Sequence, residues 1–99
     1  MEEGSYRQSR LCRLLGNPVA FTIVELLTEN KELRPSQIAR AVGRSLSRIS
    51  HVLAALRLAE VVRYETGVRQ AKYRLKHPRQ IRQLLRALSK FIDSASPPR

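Results

Sequence analysis

Near residue 59 the spacing of the apolar residues changes, and this change limits the fold more than any other feature. Before it, Ile49, Val52, Leu53 and Leu56 fall at i, i+3, i+4 and i+7, one stripe along one side of a helix. After it, Val61-Val62-Arg63-Tyr64-Glu65 is β-branched and aromatic, and Gln70-Ala71-Lys72-Tyr73-Arg74-Leu75 alternates polar with apolar. With Gly67 in the intervening turn, the two runs predict a β-hairpin. Helical spacing returns after His77-Pro78, with Ile81, Leu84, Leu85, Leu88, Phe91 and Ile92.

The rest of the chain is helical by the same test. Leu11, Leu14 and Leu15 predict a short helix over 6–15. Gly16-Asn17-Pro18 breaks it, and Asn17 and Pro18 suit the N-cap and first position of the next helix. That helix, about Pro18 to Thr28, buries Ala20, Ile23, Val24 and Leu27. Leu33 stands alone as a minimal strand. Pro35 opens a third helix with Ile38, Ala39 and Val42 inward, Gly43 is its stop, and Ser45 caps the fourth. Two helices joined through Gly43-Arg44 and followed by a hairpin make a winged helix-turn-helix. The expected fold is mainly α (α+β). One domain, 1–99, divides into terminal helices at 6–15 and 78–94, a helix-turn-helix at 35–58, a wing at 61–76 and a frayed tail at 95–99.

Charge supplies direction. The chain carries 19 Lys+Arg against 8 Asp+Glu, a net of +11, and a hydrophobic fraction of 42% sufficient for one core. Residues 1–30 carry a net charge of −1, residues 31–60 +4 and residues 61–99 +8, so the positive field belongs to the C-terminal two thirds. The basic residues alternate with apolar ones, as on a folded face rather than in a tail. Such a face predicts a polyanionic partner, nucleic acid ahead of a membrane surface. A lone Cys12 excludes a disulfide scaffold. The lack of a long apolar run and of a signal-like N-terminus predicts a cytoplasmic protein without a membrane partner.

With the stripe of the fourth helix inward, Leu46, Ser47, Arg48, Ser50, His51 and Ala54 face outward, and no acidic residue occurs from Arg44 to Ala59. A solvated helix ordinarily mixes signs to gain i,i+4 pairs. Arg48 has the fork that bonds guanine O6 and N7, Ser47, Ser50 and His51 can reach bases, and Leu46 can touch a thymine methyl. Arg44, Arg63, Arg69, Lys72 and Arg74 are the expected phosphate and wing contacts, with Arg69 at the hairpin tip. Tyr64 and Tyr73 suit the core or a phosphate equally. Aromatics are only 5% of the chain, too few for a base-stacking platform. Helices two to four and the hairpin are expected to complete the core. Leu11, Leu14, Leu15, Ile81, Leu84, Leu85, Leu88, Phe91 and Ile92 are then left to form a dimer interface.

From Leu15 to Leu75 the chain resembles the ArsR/SmtB-like winged helix-turn-helix repressors. The resemblance is carried by Leu15-Gly16-Asn17-Pro18, Ile23-Val24-Glu25-Leu26-Leu27, Ile38-Ala39, Ser45-Leu46-Ser47-Arg48-Ile49-Ser50-His51-Val52-Leu53, Leu56 to Val62, and Tyr73-Arg74-Leu75. It implies a dimer built from the first and last helices. Two departures stand out. Glu60 replaces the glycine usual at the helix end, and Leu33-Arg34-Pro35-Ser36-Gln37 lacks the Cys-x-Cys pair of the metal sensors. Cys12, His51 and His77 are scattered and Asp93 stands alone on the last helix, so no metal and no cofactor is expected.

The expected function is a dimeric, sequence-specific double-stranded DNA-binding regulator, a repressor by resemblance, of unknown effector. A non-specific architectural binder and a protein-protein module are the alternatives, which fold alone does not separate. No catalytic spacing and no phosphate-cradling glycine loop is present, so an enzyme is not expected.

Overall fold

The computed structural model describes residues 2–67 and 70–95. Its elements are α1 (Glu3–Leu15), α2 (Pro18–Glu29), α3 (Pro35–Val42), α4 (Leu46–Leu58), β1 (Val62–Thr66), β2 (Ala71–Leu75) and α5 (Pro78–Ala95). The mainly helical winged architecture is therefore present as expected.

Local chemistry sets the boundaries. The Asn17 side chain accepts from the Val19 and Ala20 N–H groups at 2.9 and 3.1 Å, with Pro18 at the first position of α2. The Gln37 side chain accepts from the Arg34 N–H at 2.9 Å and secures the start of α3. Gly43 closes α3 with φ +74°, a left-handed conformation that costs glycine little. Ser45 Oγ accepts from the Arg48 N–H at 3.1 Å and caps α4. At the other end of α4, Glu60 takes φ +65°. A side chain is strained there, so this departure from the usual glycine carries a backbone cost.

The hairpin is antiparallel, pairing Val62 with Leu75, Arg63 with Arg74, Tyr64 with Tyr73 and Glu65 with Lys72. Leu33 adds a bridge along the free edge of β2, its N–H donating to the Tyr73 carbonyl at 3.0 Å and its carbonyl accepting from the Tyr73 N–H at 2.8 Å. The isolated Leu33 is thus a one-residue third strand that holds the wing to the helices.

The core gathers Val19, Ala20, Ile23, Val24 and Leu27 of α2, Ile38 of α3, Ile49, Val52, Leu53 and Leu56 of α4, and Val61, Val62 and Leu75 of the wing. Two corrections to the expected layout follow. Leu15 and Ile81 are 7% and 8% exposed and belong to this same core, so the terminal helices help complete it. The Gly16-Asn17 turn folds Leu15 onto α2, and the short link Lys76-His77 delivers the first turn of α5 to the same helix. The helices also run longer than expected. α1 starts at Glu3, whose carboxylate suits the positive end of the helix dipole, and α5 reaches Ala95. The expected tail otherwise lies outside the described residues.

Candidate nucleic-acid interface

The face of α4 opposite its core stripe is open. Leu46 is 52% exposed, and Ser47, Arg48, Ser50, His51 and Ala54 are all exposed. Among the described residues, no hydrogen bond, ion pair or ring contact engages the side chains of Ser47, Arg48, Ser50 or His51. The cap bond at Ser45 holds the first turn, so Arg48 projects from an ordered helix end. Arg44 is exposed in the turn before it, with Nη1 donating to the Gly43 carbonyl at 3.2 Å. The base-reading set nominated from the sequence therefore shares one uncommitted surface. What brings it together is helical geometry: fixing Ile49, Val52, Leu53 and Leu56 inward fixes the rest outward.

The wing is arranged differently. Arg63, Glu65, Lys72 and Arg74 share one face of the hairpin, because residues two apart on a strand point the same way. Arg63 Nε and Arg74 Nε lie 3.4 and 3.3 Å from the same Glu65 Oε1. Lys72 Nζ donates to Glu32 Oε1 at 3.0 Å, on the segment between α2 and α3. Lys76 pairs with Glu60, which holds the Glu60 carboxyl below its ordinary value. Three nominated phosphate contacts, Arg63, Lys72 and Arg74, thus sit against carboxylates of their own chain. Arg69, nominated for the wing tip, lies outside the described residues together with Val68.

On the other face of the hairpin, Tyr64 and Tyr73 meet edge to face, with ring centroids 5.2 Å apart. Tyr64 is 37% exposed and lies beneath the Arg57 guanidinium, 5.1 Å from the ring centroid. Tyr73 is half-buried, and burial pushes its phenol up. Two residues that periodicity passed over tie the wing to the helices. Arg57, in the last turn of α4, does so through Tyr64. Arg34, before α3, donates from Nη1 to Gln70 Oε1 at 2.7 Å. Neither was visible in the sequence, because each partner is far along the chain.

The nine nominated interface residues divide into three groups. Leu15 and Ile81 are in the core. Leu11, Leu14, Leu84 and Leu85 are half-buried and packed against it. Leu88, Phe91 and Ile92 are 41%, 72% and 63% exposed, a large apolar surface for one helix end. Cys12 is exposed on α1. Among the described residues, no three His, Cys, Asp or Glu side chains cluster as a metal site would require. No single helix among them is long and apolar enough to cross a membrane.

Comparison with known proteins places this arrangement. Residues 17–64 match the model of the bacterial regulatory protein arsR family. No curated protein sequence matches the chain. Among solved structures, Rv0081 of Mycobacterium tuberculosis is 25% identical over 95% of this chain and 93% of its own, with a TM-score of 0.85. A homodimeric winged helix-turn-helix DNA-binding domain of Mycobacterium bovis is 23% identical over 92% of this chain and 82% of its own, with a TM-score of 0.79. The transcriptional repressor BigR of Xylella fastidiosa is 23% identical over 95% and 91%, with a TM-score of 0.75. The match covers the capped start of α2, the helix-turn-helix and the beginning of the first wing strand, and so includes the parts that present the open face of α4. Residues 17–64 are thus an ArsR-family helix-turn-helix domain, carried in a winged helix fold that lacks the cysteine pair of the family's metal sensors.

Proposed function

We propose that two copies of this chain pair through α1 and α5 and repress transcription by reading a specific duplex site. In this reading α4 enters the major groove, and the wing follows phosphates or the minor groove. The observation that carries it is the uncommitted, acid-free surface of Leu46, Ser47, Arg48, Ser50 and His51 at the capped end of α4. A helix-turn-helix points this end at base edges. The exposed Leu88, Phe91 and Ile92 support pairing, as does the homodimeric form of the Mycobacterium bovis relative. The repressor relative BigR supports the direction of regulation.

The test is a footprint on the promoter next to the chain's own gene, followed by competition with scrambled duplex over a salt series. A protected site with two half-sites about 34 Å apart is expected for two-fold symmetric readers. Affinity for that site should exceed that for scrambled duplex by about a thousand-fold or more. Equal affinity for both duplexes would reassign the chain to non-specific DNA packing. Absence of salt-sensitive binding would reassign it to protein-protein work.

A further inference from the structure

The last helix carries a second surface that the reading of bases leaves unused. At about 100° per residue, Ile81, Leu84, Leu85, Leu88, Phe91 and Ile92 centre on one side of α5. Arg79, Arg82, Arg86 and Lys90 centre on the opposite side, over a rise of about 16 Å. Arg79, Arg82, Gln83 and Arg86 line an open groove of about 430 Å³. Arg82 is anchored, its Nη2 donating to the Thr28 carbonyl at 3.0 Å at the end of α2. Among the described residues, Arg79 and Arg86 have no hydrogen-bond or ion-pair partner. The only carboxylate on this side of the helix is Asp93, beyond the groove. On the described part of the wing, by contrast, Arg63, Lys72, Arg74 and Lys76 sit against carboxylates of the chain.

We infer that the Arg79–Arg82–Arg86 face of α5 is a second, sequence-independent contact for the phosphate backbone of duplex DNA. Guanidinium forks match phosphate oxygens in geometry and charge. The groove has no apolar side chain in its lining. A protein partner would need a desolvated apolar centre, which a phosphate backbone does not. A lipid surface would be met by the apolar side of α5, leaving these arginines in water. The phosphates come from DNA flanking the operator on the same duplex, or from a second duplex. Pairing through the apolar side of α5 would leave both copies of the stripe outward.

This inference rests on the chain being a duplex binder, and the experiment separates the two. The Arg79→Gln/Arg86→Gln double variant keeps the Arg82 anchor, and its thermal melting should match that of the unaltered protein. Salt titrations compare both proteins on a duplex trimmed to the footprint and on one extended at both ends. On the extended duplex the variant's log–log salt slope should be shallower by about 1.8 per subunit, at about 0.9 per phosphate lost. On the trimmed duplex the two proteins should bind alike. If the source is a second duplex, the unaltered protein on an immobilised operator captures a free labelled duplex and the variant does not. Identical behaviour of both proteins in every arm, with operator binding intact, overturns the inference. An unaltered protein that binds no duplex overturns the functional reading as well.

Discussion

The outward face of α4 and the polar face of the wing are both basic and both reach solvent, yet they differ in what their charges already touch. On α4, Arg48 is exposed and its guanidinium has no hydrogen-bond or ion-pair partner among the described residues. On the wing, Arg63 and Arg74 share Glu65, and Lys72 is held by Glu32. Formal charge is therefore a poor measure of what a surface offers a polyanion. A cation already paired must exchange one carboxylate for one phosphate, and the net gain is small. Exposed pairs of this kind are worth about 0–1 kcal/mol, so phosphate can displace them, but without much profit in affinity. The expectation is that α4 sets affinity and specificity, while the wing sets orientation.

The largest test of that division removes the pairing of two α4 faces. Leu88→Glu with Phe91→Glu should convert a dimer to a monomer in analytical ultracentrifugation. It should also weaken operator binding on the order of a hundred-fold or more, since the second half-site is no longer held at high effective concentration. Unchanged oligomeric state would place the subunit contact elsewhere. Next in size, Arg48→Ala should cost about 1–3 kcal/mol of discrimination, roughly ten- to a hundred-fold in the ratio of operator to scrambled affinity. A uniform loss on both duplexes would demote Arg48 to a phosphate contact.

Glu65→Ala tests the wing in the opposite direction. Releasing Arg63 and Arg74 should tighten binding up to about five-fold and steepen the salt slope, as two guanidiniums become available. Weaker binding would mean that Glu65 positions the arginines rather than withholding them. The smallest effect concerns the joint between the two regions. Glu60→Gly relieves a left-handed backbone and should raise Tm by a few degrees in calorimetry, with operator affinity unchanged. The Lys76 ammonium lowers the Glu60 carboxyl below its unfolded value. The stability from this pair is therefore present above the ordinary carboxylate value and lost as pH falls through the lowered one. The glycine variant should lack this part of the acid dependence. A fall in Tm would show that the pair outweighs the strain.

Much of the fold was legible because its signals are local. Asn17-Pro18, Gly43 and Ser45 act within one helical turn, and the stripe in α4 determines its own outward face. The dimer set was legible only in part. Periodicity shows that Leu15 and Ile81 are apolar and on the correct side, but not what lies against that side. The turn at Gly16-Asn17 and the link at Lys76-His77 decide that α2 does.

The sequence by itself determined the element order, the caps, a hairpin with Gly67 in its turn and the candidate reading surface of α4. Each depends on interactions between residues a few positions apart, where spacing alone dictates geometry. Tertiary structure decided the rest. Glu32 reaches Lys72 across 40 positions, Arg34 reaches Gln70 across 36, and Arg82 reaches the Thr28 carbonyl across 54. Such contacts exist only once the helices and wing have packed, because nothing in local spacing brings their partners within reach. They are what turned a net charge of +11 into two unlike surfaces, one open and one already engaged.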